Sequence, residues 1–295
     1  MRLPSWISQH LAALRALLVL TVVTGVLYPL VITAIAQVPG LKSHADGSMV
    51  KVGDNTVGSA IIGQSFTDKD GNPLVQYFQT RPSAAGNGYD PTSTGASNLG
   101  PESIVDTLAD PSKKGDTGKQ SLLTQVCSRS VAVGKLEGVD GSRPYCTAGG
   151  IGAVLGVFYR DGSTGPITRV VSLNEECPAT PFIASYQGVT VECAKFGEDY
   201  SKAVVMGIRG NAPAQPAVPA DAVTASGSGL DPQISVDYVH LQAARVAKAR
   251  GIDSATMQQL IDKYTSGRGL GFMGQPAVNV VQLNIALDQQ YPYRG

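Results

Sequence analysis

Residues 16–36 read ALLVLTVVTGVLYPLVITAIA, a run of 21 positions without a charge. As a helix it is about 32 Å long, enough to cross a bilayer core of roughly 30 Å. Arg2 and Arg15 precede it, and the first basic residue after it is Lys42. That asymmetry puts the N-terminal end in the cytoplasm. The sequence therefore predicts a cytoplasmic tail over 1–15, one transmembrane helix over 16–37, and an extracytoplasmic remainder. Ala34-Ile35-Ala36 also offers the small-x-small pattern that signal peptidase cuts, but the apolar run exceeds a usual signal core, which favours a retained anchor. Both readings export residues 38–295. Thr21, Gly25 and Pro29 fall four apart, small residues and a proline on one face that a second helix can approach. Pro29 removes a backbone hydrogen bond and predicts a kink.

Beyond the helix roughly 260 residues remain, enough for one large or two small domains. Lys+Arg and Asp+Glu are both 23. This balance leaves no basic excess to hold nucleic acid. The four cysteines, Cys127, Cys146, Cys177 and Cys193, include no C-x-x-C, and the three histidines are isolated. A zinc or other metal site is not expected. In an oxidising compartment four cysteines suggest two disulfides. Of the three possible pairings, the most local is Cys127–Cys146 with Cys177–Cys193.

GSAIIGQSF (58–66) and LVQYFQT (74–80) read as short strands around the turn-forming DKDGNP (68–73). Arg81 to Pro101 then has no period of 2 or 3.6, and its polar atoms are hydroxyls, amides and carbonyls. A loop of this length without regular structure is usually functional or disordered. It suits docking better than acid–base chemistry. Residues 102–219 hold every cysteine and three β-like runs, 153–159, 167–173 and 203–208. They read as a mostly β, disulfide-stapled module inserted between residues 38–101 and 220–295. The last part is helical. Ser235 caps a helix to about Arg250 that Gly251 closes, and a second starts near Asp253 with Met257, Leu260, Ile261 and Tyr264 on one stripe. Residues 278–288 alternate like a strand but are long enough for a helix. The fold class is thus α+β, one transmembrane helix plus a mixed α/β domain carrying a β insertion.

Catalytic signatures are missing. GDTGKQ (115–120) does not complete a P-loop, GGIGAVLG (149–156) lacks a preceding strand run, and ASGSG (225–229) has Ser226 where a nucleophile elbow needs glycine. Glu175 and Glu176 read as a solvated turn rather than a catalytic pair. The turn Gly227-Ser228-Gly229 could form a phosphate nest, but it fits better as a tight turn before a helix. No catalytic residue is expected.

Four stretches, in order behind one N-terminal membrane helix, carry a resemblance: GSAIIGQSF (58–66), YFQTRPSAAGNGYDPTSTGASNLGP (77–101), VTASGSGLDPQIS (223–235) and GRGLGFMGQPAVNVVQLNIALD (267–288). They resemble the C subunit (KdpC) family of the Kdp potassium-transporting P-type ATPases. The resemblance implies a non-catalytic, single-span accessory subunit in the bacterial inner membrane. Its partners would be a potassium-channel-like subunit and an ATP-hydrolysing P-type subunit. It would stabilise their assembly and act as a catalytic chaperone, while ATP and potassium are handled by the complex. It also implies that Arg81, Asn87, Tyr89, Asp90 and Asn98 shape an outer loop at the channel mouth, and that Thr21, Gly25 and Pro29 pack on channel helices. The chain departs from the family pattern in about 100 extra residues, in Gln233 where His is common, and in Gln275-Pro276-Ala277 where Glu-Pro-Arg is common. A free-standing exported binding module and an exported hydrolase are the competing readings.

Overall fold

A computed structural model describes residues 4–295, which divide after Ile61 into two compact units. Arg2 lies outside the described residues. In the first unit Ser5–Ala36 is one continuous helix of 32 residues, none of them buried. It comprises α1 (Ser5–Val22), a π turn (Val23–Leu27) and α2 (Tyr28–Ala36). The helix therefore begins at Ser5, well before the apolar run, and at about 48 Å it is longer than a bilayer core. Pro29 expresses itself through the π turn. In an α-turn its ring collides with the carbonyl four residues back, Gly25, and the wider turn over 23–27 relieves this. The Tyr28 amide reaches back five residues to the Val23 carbonyl. After the four-residue α3 (Lys42–Ala45) comes a hairpin of β1 (Met49–Val52) and β2 (Asn55–Ser59), turned at Gly53 with φ +58°.

The second unit, Ile62–Gly295, holds the main core. Its helices are α4 (Leu122–Glu137), α5 (Ala220–Val223), α6 (Val236–Arg250), α7 (Ser254–Lys263) and α8 (Val280–Gln290). The predicted caps of α6 hold, and α7 starts where expected. The Ser235 hydroxyl accepts from the Tyr238 amide, Gly251 is left-handed at φ +66°, and Asp253 accepts from the Thr256 amide. Met257, Leu260 and Ile261 are buried in the core and Tyr264 packs at its edge. The ambiguous last segment is both things in turn. A short strand β10 (Ala277–Asn279) pairs with β8 (Gln233–Ser235) and β9 (Thr265–Ser266), and then α8 starts at the Asn279 cap.

The stretch 102–219 contains a five-stranded sheet of order β5-β6-β4-β3-β7: β3 (Val154–Tyr159), β4 (Ile167–Glu176), β5 (Ser185–Tyr186), β6 (Val189–Ala194) and β7 (Val204–Gly207). All three expected strands are present. The sheet is accompanied by a helix that the sequence reading did not place, α4, which runs for 16 residues from the Ser121 cap to left-handed Gly138. This helix also joins the main core. Val126 and Val133 pack against it, and Glu137 forms an ion pair at 3.0 Å with Arg245 of α6, both side chains at most 10% exposed. Burial raises the Glu137 pKa, with the Arg245 hydrogen bonds opposing it. The disulfides are Cys127–Cys146 and Cys177–Cys193, the local pairing. Glu175 and Glu176 are not a solvated turn. They end β4, where buried Glu175 accepts from the Ser172 hydroxyl at 2.7 Å and the Phe182 amide at 2.8 Å.

Residues 60–66 and 74–80 are not strands. The Phe78 and Gln79 backbones are instead paired by side chains. Asn284 of α8 accepts from the Phe78 amide and donates to the Phe78 carbonyl, both at 2.9 Å. Gln242 of α6 does the same to Gln79 at 2.6 and 3.1 Å. A primary amide presents the same donor–acceptor pair as a neighbouring strand, so the backbone is satisfied without one. Arg245 and Arg250 complete the clamp on the carbonyls of Val75, Gln76 and Tyr77.

Candidate functional site

Two motifs far apart in sequence, 77–101 and 223–235, are laced together. Phe78, Ala85, Val223 and Ile234 are buried, and turns and polar contacts hold the shape between them. The Ser83 hydroxyl donates to the Gly229 carbonyl at 2.7 Å and accepts from the amides of Ala85 and Tyr89. The Ser226 amide donates to the Pro82 carbonyl, the Gly95 amide to the Ser228 carbonyl, and the Gly63 amide to the Leu230 carbonyl. Gly229 sits at φ +74°, where a Cβ would lie 2.5 Å from that of Ala85. Only glycine allows both the backbone angle and that approach.

Arg81 is the centre of the frame. Its guanidinium is 2.9 Å from the Asp231 carboxylate and also donates to the Thr224 and Ala225 carbonyls. The Tyr89 hydroxyl donates to the Arg81 carbonyl at 2.8 Å. Burial pushes that hydroxyl up to about 12, so it stays protonated and keeps the bond. Tyr89 itself has φ +58° and Asn98 φ +54°, uncommon angles for side-chain-bearing residues. Asp90 accepts from both the amide and hydroxyl of Thr92, which hold its carboxyl below the usual range. Asn87 and Asn98 are exposed. The predicted set thus divides: Arg81, Tyr89 and Asp90 build the loop, while Asn87 and Asn98 face outward from it.

In the glycine turn, Ser226 takes the Gly229 amide and the Ser228 hydroxyl takes the Leu230 amide. These donors serve the frame. Gln233 and Gln275 line one open cleft of about 540 Å³ with Arg81, Asp231 and Pro276, so the two departures from the family pattern fall together in space. Among the described residues no group of His, Cys, Asp and Glu could hold a metal. Sequence reading missed Ser83, Asp231, Gln242 and Asn284. Each is a common polar residue whose partner lies far along the chain, so no local pattern marks it.

On the N-terminal helix, a Cβ on Gly25 of the π turn would be 4.0 Å from the Thr21 methyl of α1, so these two residues adjoin on the helix surface. Pro29 is the second residue after the π turn.

One chain thus joins an apolar helix long enough to cross a membrane to a mixed α+β unit whose polar loops are laced together. The KdpC family (K+-transporting ATPase, c chain) matches residues 10–114 and 194–289. The potassium-transporting ATPase KdpC subunit of Mycobacterium tuberculosis H37Rv is 34% identical over 281 residues, 95% of this chain and 98% of the relative. The subunit of the same description from Kineococcus radiotolerans is 33% identical over 290 residues, 98% of each chain. That from Rhodospirillum rubrum is 34% identical over 273 residues, 92% of this chain and 91% of the relative. The chain belongs to the KdpC family, and is an accessory subunit of the Kdp complex. Because these relatives align over nearly their whole length, they carry a comparable length of chain, and the extra residues are a shared trait. The family match itself breaks only over 115–193.

Proposed function

We propose that this chain is a non-catalytic, single-span subunit of the bacterial inner membrane, with its N-terminus in the cytoplasm and the Ile62–Gly295 unit outside. It stabilises the union of a channel-like subunit and an ATP-hydrolysing P-type subunit, and acts as catalytic chaperone for the latter. The observation that carries this reading is the loop frame: family-matched residues use their polar groups to fix a surface. The outward face of 81–98, with Asn87 and Asn98, meets the channel-like subunit, and the Thr21–Gly25 surface with Pro29 packs on its helices. ATP lies on the other side of the membrane from that face. Any effect on nucleotide affinity is therefore a coupling free energy between distant sites, carried through the complex.

Deleting 83–98 is a poor test, because Ser83, Ala85 and Gly95 hold the 226–229 turn and the fold would go with them. The double variant Asn87→Ala, Asn98→Gly removes the outward polar groups and keeps the frame, glycine being at ease at φ +54°. It is expected to fold, and to lose co-purification with the channel-like subunit and growth at limiting potassium. Unchanged uptake in that variant would contradict the role given to this face.

A further inference from the structure

Between β9 and β10 the chain reads GRGLGFMGQP (267–276) and forms a projecting tip. Leu270 is 84% exposed, Phe272 72% and Met273 55%. Elsewhere in the Ile62–Gly295 unit the exposed large apolar residues described stand singly, and none passes 45%. Three in four consecutive positions is a concentration that a surface facing only water does not retain.

We propose that this tip enters the headgroup boundary of the bilayer that Ser5–Ala36 crosses. Three observations favour lipid over a protein groove. First, the backbone of the tip is paired internally. The Gly269 and Met273 amides exchange bonds with each other's carbonyls at 2.8 Å, the Phe272 amide donates to Gly269, and the Gly271 amide to Arg268. Such a loop can leave water with few orphaned amides. Second, residues 267–277 carry Arg268 and no acidic group. An aromatic and aliphatic tip beside a cation matches an anionic membrane surface. Third, roughly 25 residues separate the helix from the unit, a tether of at most about 85 Å, which keeps the tip at high effective concentration near the bilayer. The proposal rests on the anchor being retained.

Trp6 is the chain's one tryptophan, which makes a clean optical test possible. The full chain carrying Trp6→Phe and Phe272→Trp is reconstituted in phosphatidylcholine–phosphatidylglycerol vesicles with and without brominated acyl chains. The tryptophan introduced at the tip is expected to emit at shorter wavelength than in detergent-free buffer, and to lose most of its emission to the brominated lipid. A control with Phe196→Trp in place of Phe272→Trp keeps a water-like, unquenched emission. Water-like, unquenched emission from the tip variant in every vesicle overturns the proposal. So does a tip that becomes protected only when the other Kdp subunits are added, still without quenching, since that is the signature of a protein groove. A cleaved anchor shows itself separately, as chain recovered free of vesicles.

Discussion

Gly229 concentrates the demands on single residues. Its left-handed angle and its approach to Ala85 leave no room for a side chain. Gly229→Ala is expected to cost roughly 2–4 kcal/mol of unfolding free energy, read from denaturant titration. Arg81→Met removes an ion pair at partial exposure together with two carbonyl contacts, and is expected to cost about 1–2 kcal/mol. Asp253 caps α7, and the Thr256 amide and hydroxyl hold its carboxyl below the ordinary value of 3.8. A lowered folded pKa means that its contribution is complete above pH 3.8 and is lost as pH falls through the folded value. Thermal midpoints measured downward from pH 5 should therefore fall more gently in Asp253→Asn than in the parent chain. At this scale the caps Ser235, Gly251 and Asp253 were legible, because a cap is a local device. Ser83 and Asp231 were not, because their partners sit about 150 positions away and only the folded chain joins them.

Among elements, the segment 74–80 shows where pattern reading fails. Its composition is that of a strand, but it opens with a turn, the Tyr77 amide donating to the Leu74 carbonyl, and the backbone of Phe78 and Gln79 is paired by the side-chain amides of Asn284 and Gln242. Asn284→Leu strips the Phe78 amide and carbonyl of their partners inside the core. It is expected to cost about 2–4 kcal/mol, with Gln242→Leu similar. Both losses are checked by urea unfolding of the variants. Helix α4 was missed for the opposite reason. Its Ser121 cap and Gly138 stop are ordinary signals, but the small Ser130 and Gly134 interrupt the apolar stripe, and Gly134 lies against the backbone of Gly141. Membership of the family places weight on the elements that α4 supports: its Glu137 holds Arg245, which in turn holds the 75–77 carbonyls. The stretch outside the family match is therefore fastened to the part inside it.

For the whole molecule, the disulfide pairing was readable from spacing alone, since local closure is the least demanding arrangement. Cys127–Cys146 ties α4 to the approach to β3. Replacing both residues by serine is expected to lower stability by about 3 kcal/mol, visible as a lower thermal midpoint and as loss of any response to reductant from this bond. The placement of 62–295 outside the cytoplasm and the partners of the frame are claims about the complex, and one measurement reaches both. The chain, tagged at its C-terminus, is purified from native membranes of potassium-starved cells and analysed by mass spectrometry. A channel-like subunit and a P-type ATPase are expected in the same fraction, with both disulfides formed and the N-terminal peptide still attached. Recovery of the chain by itself from the soluble exported fraction, cut after Ala36, would contradict this expectation.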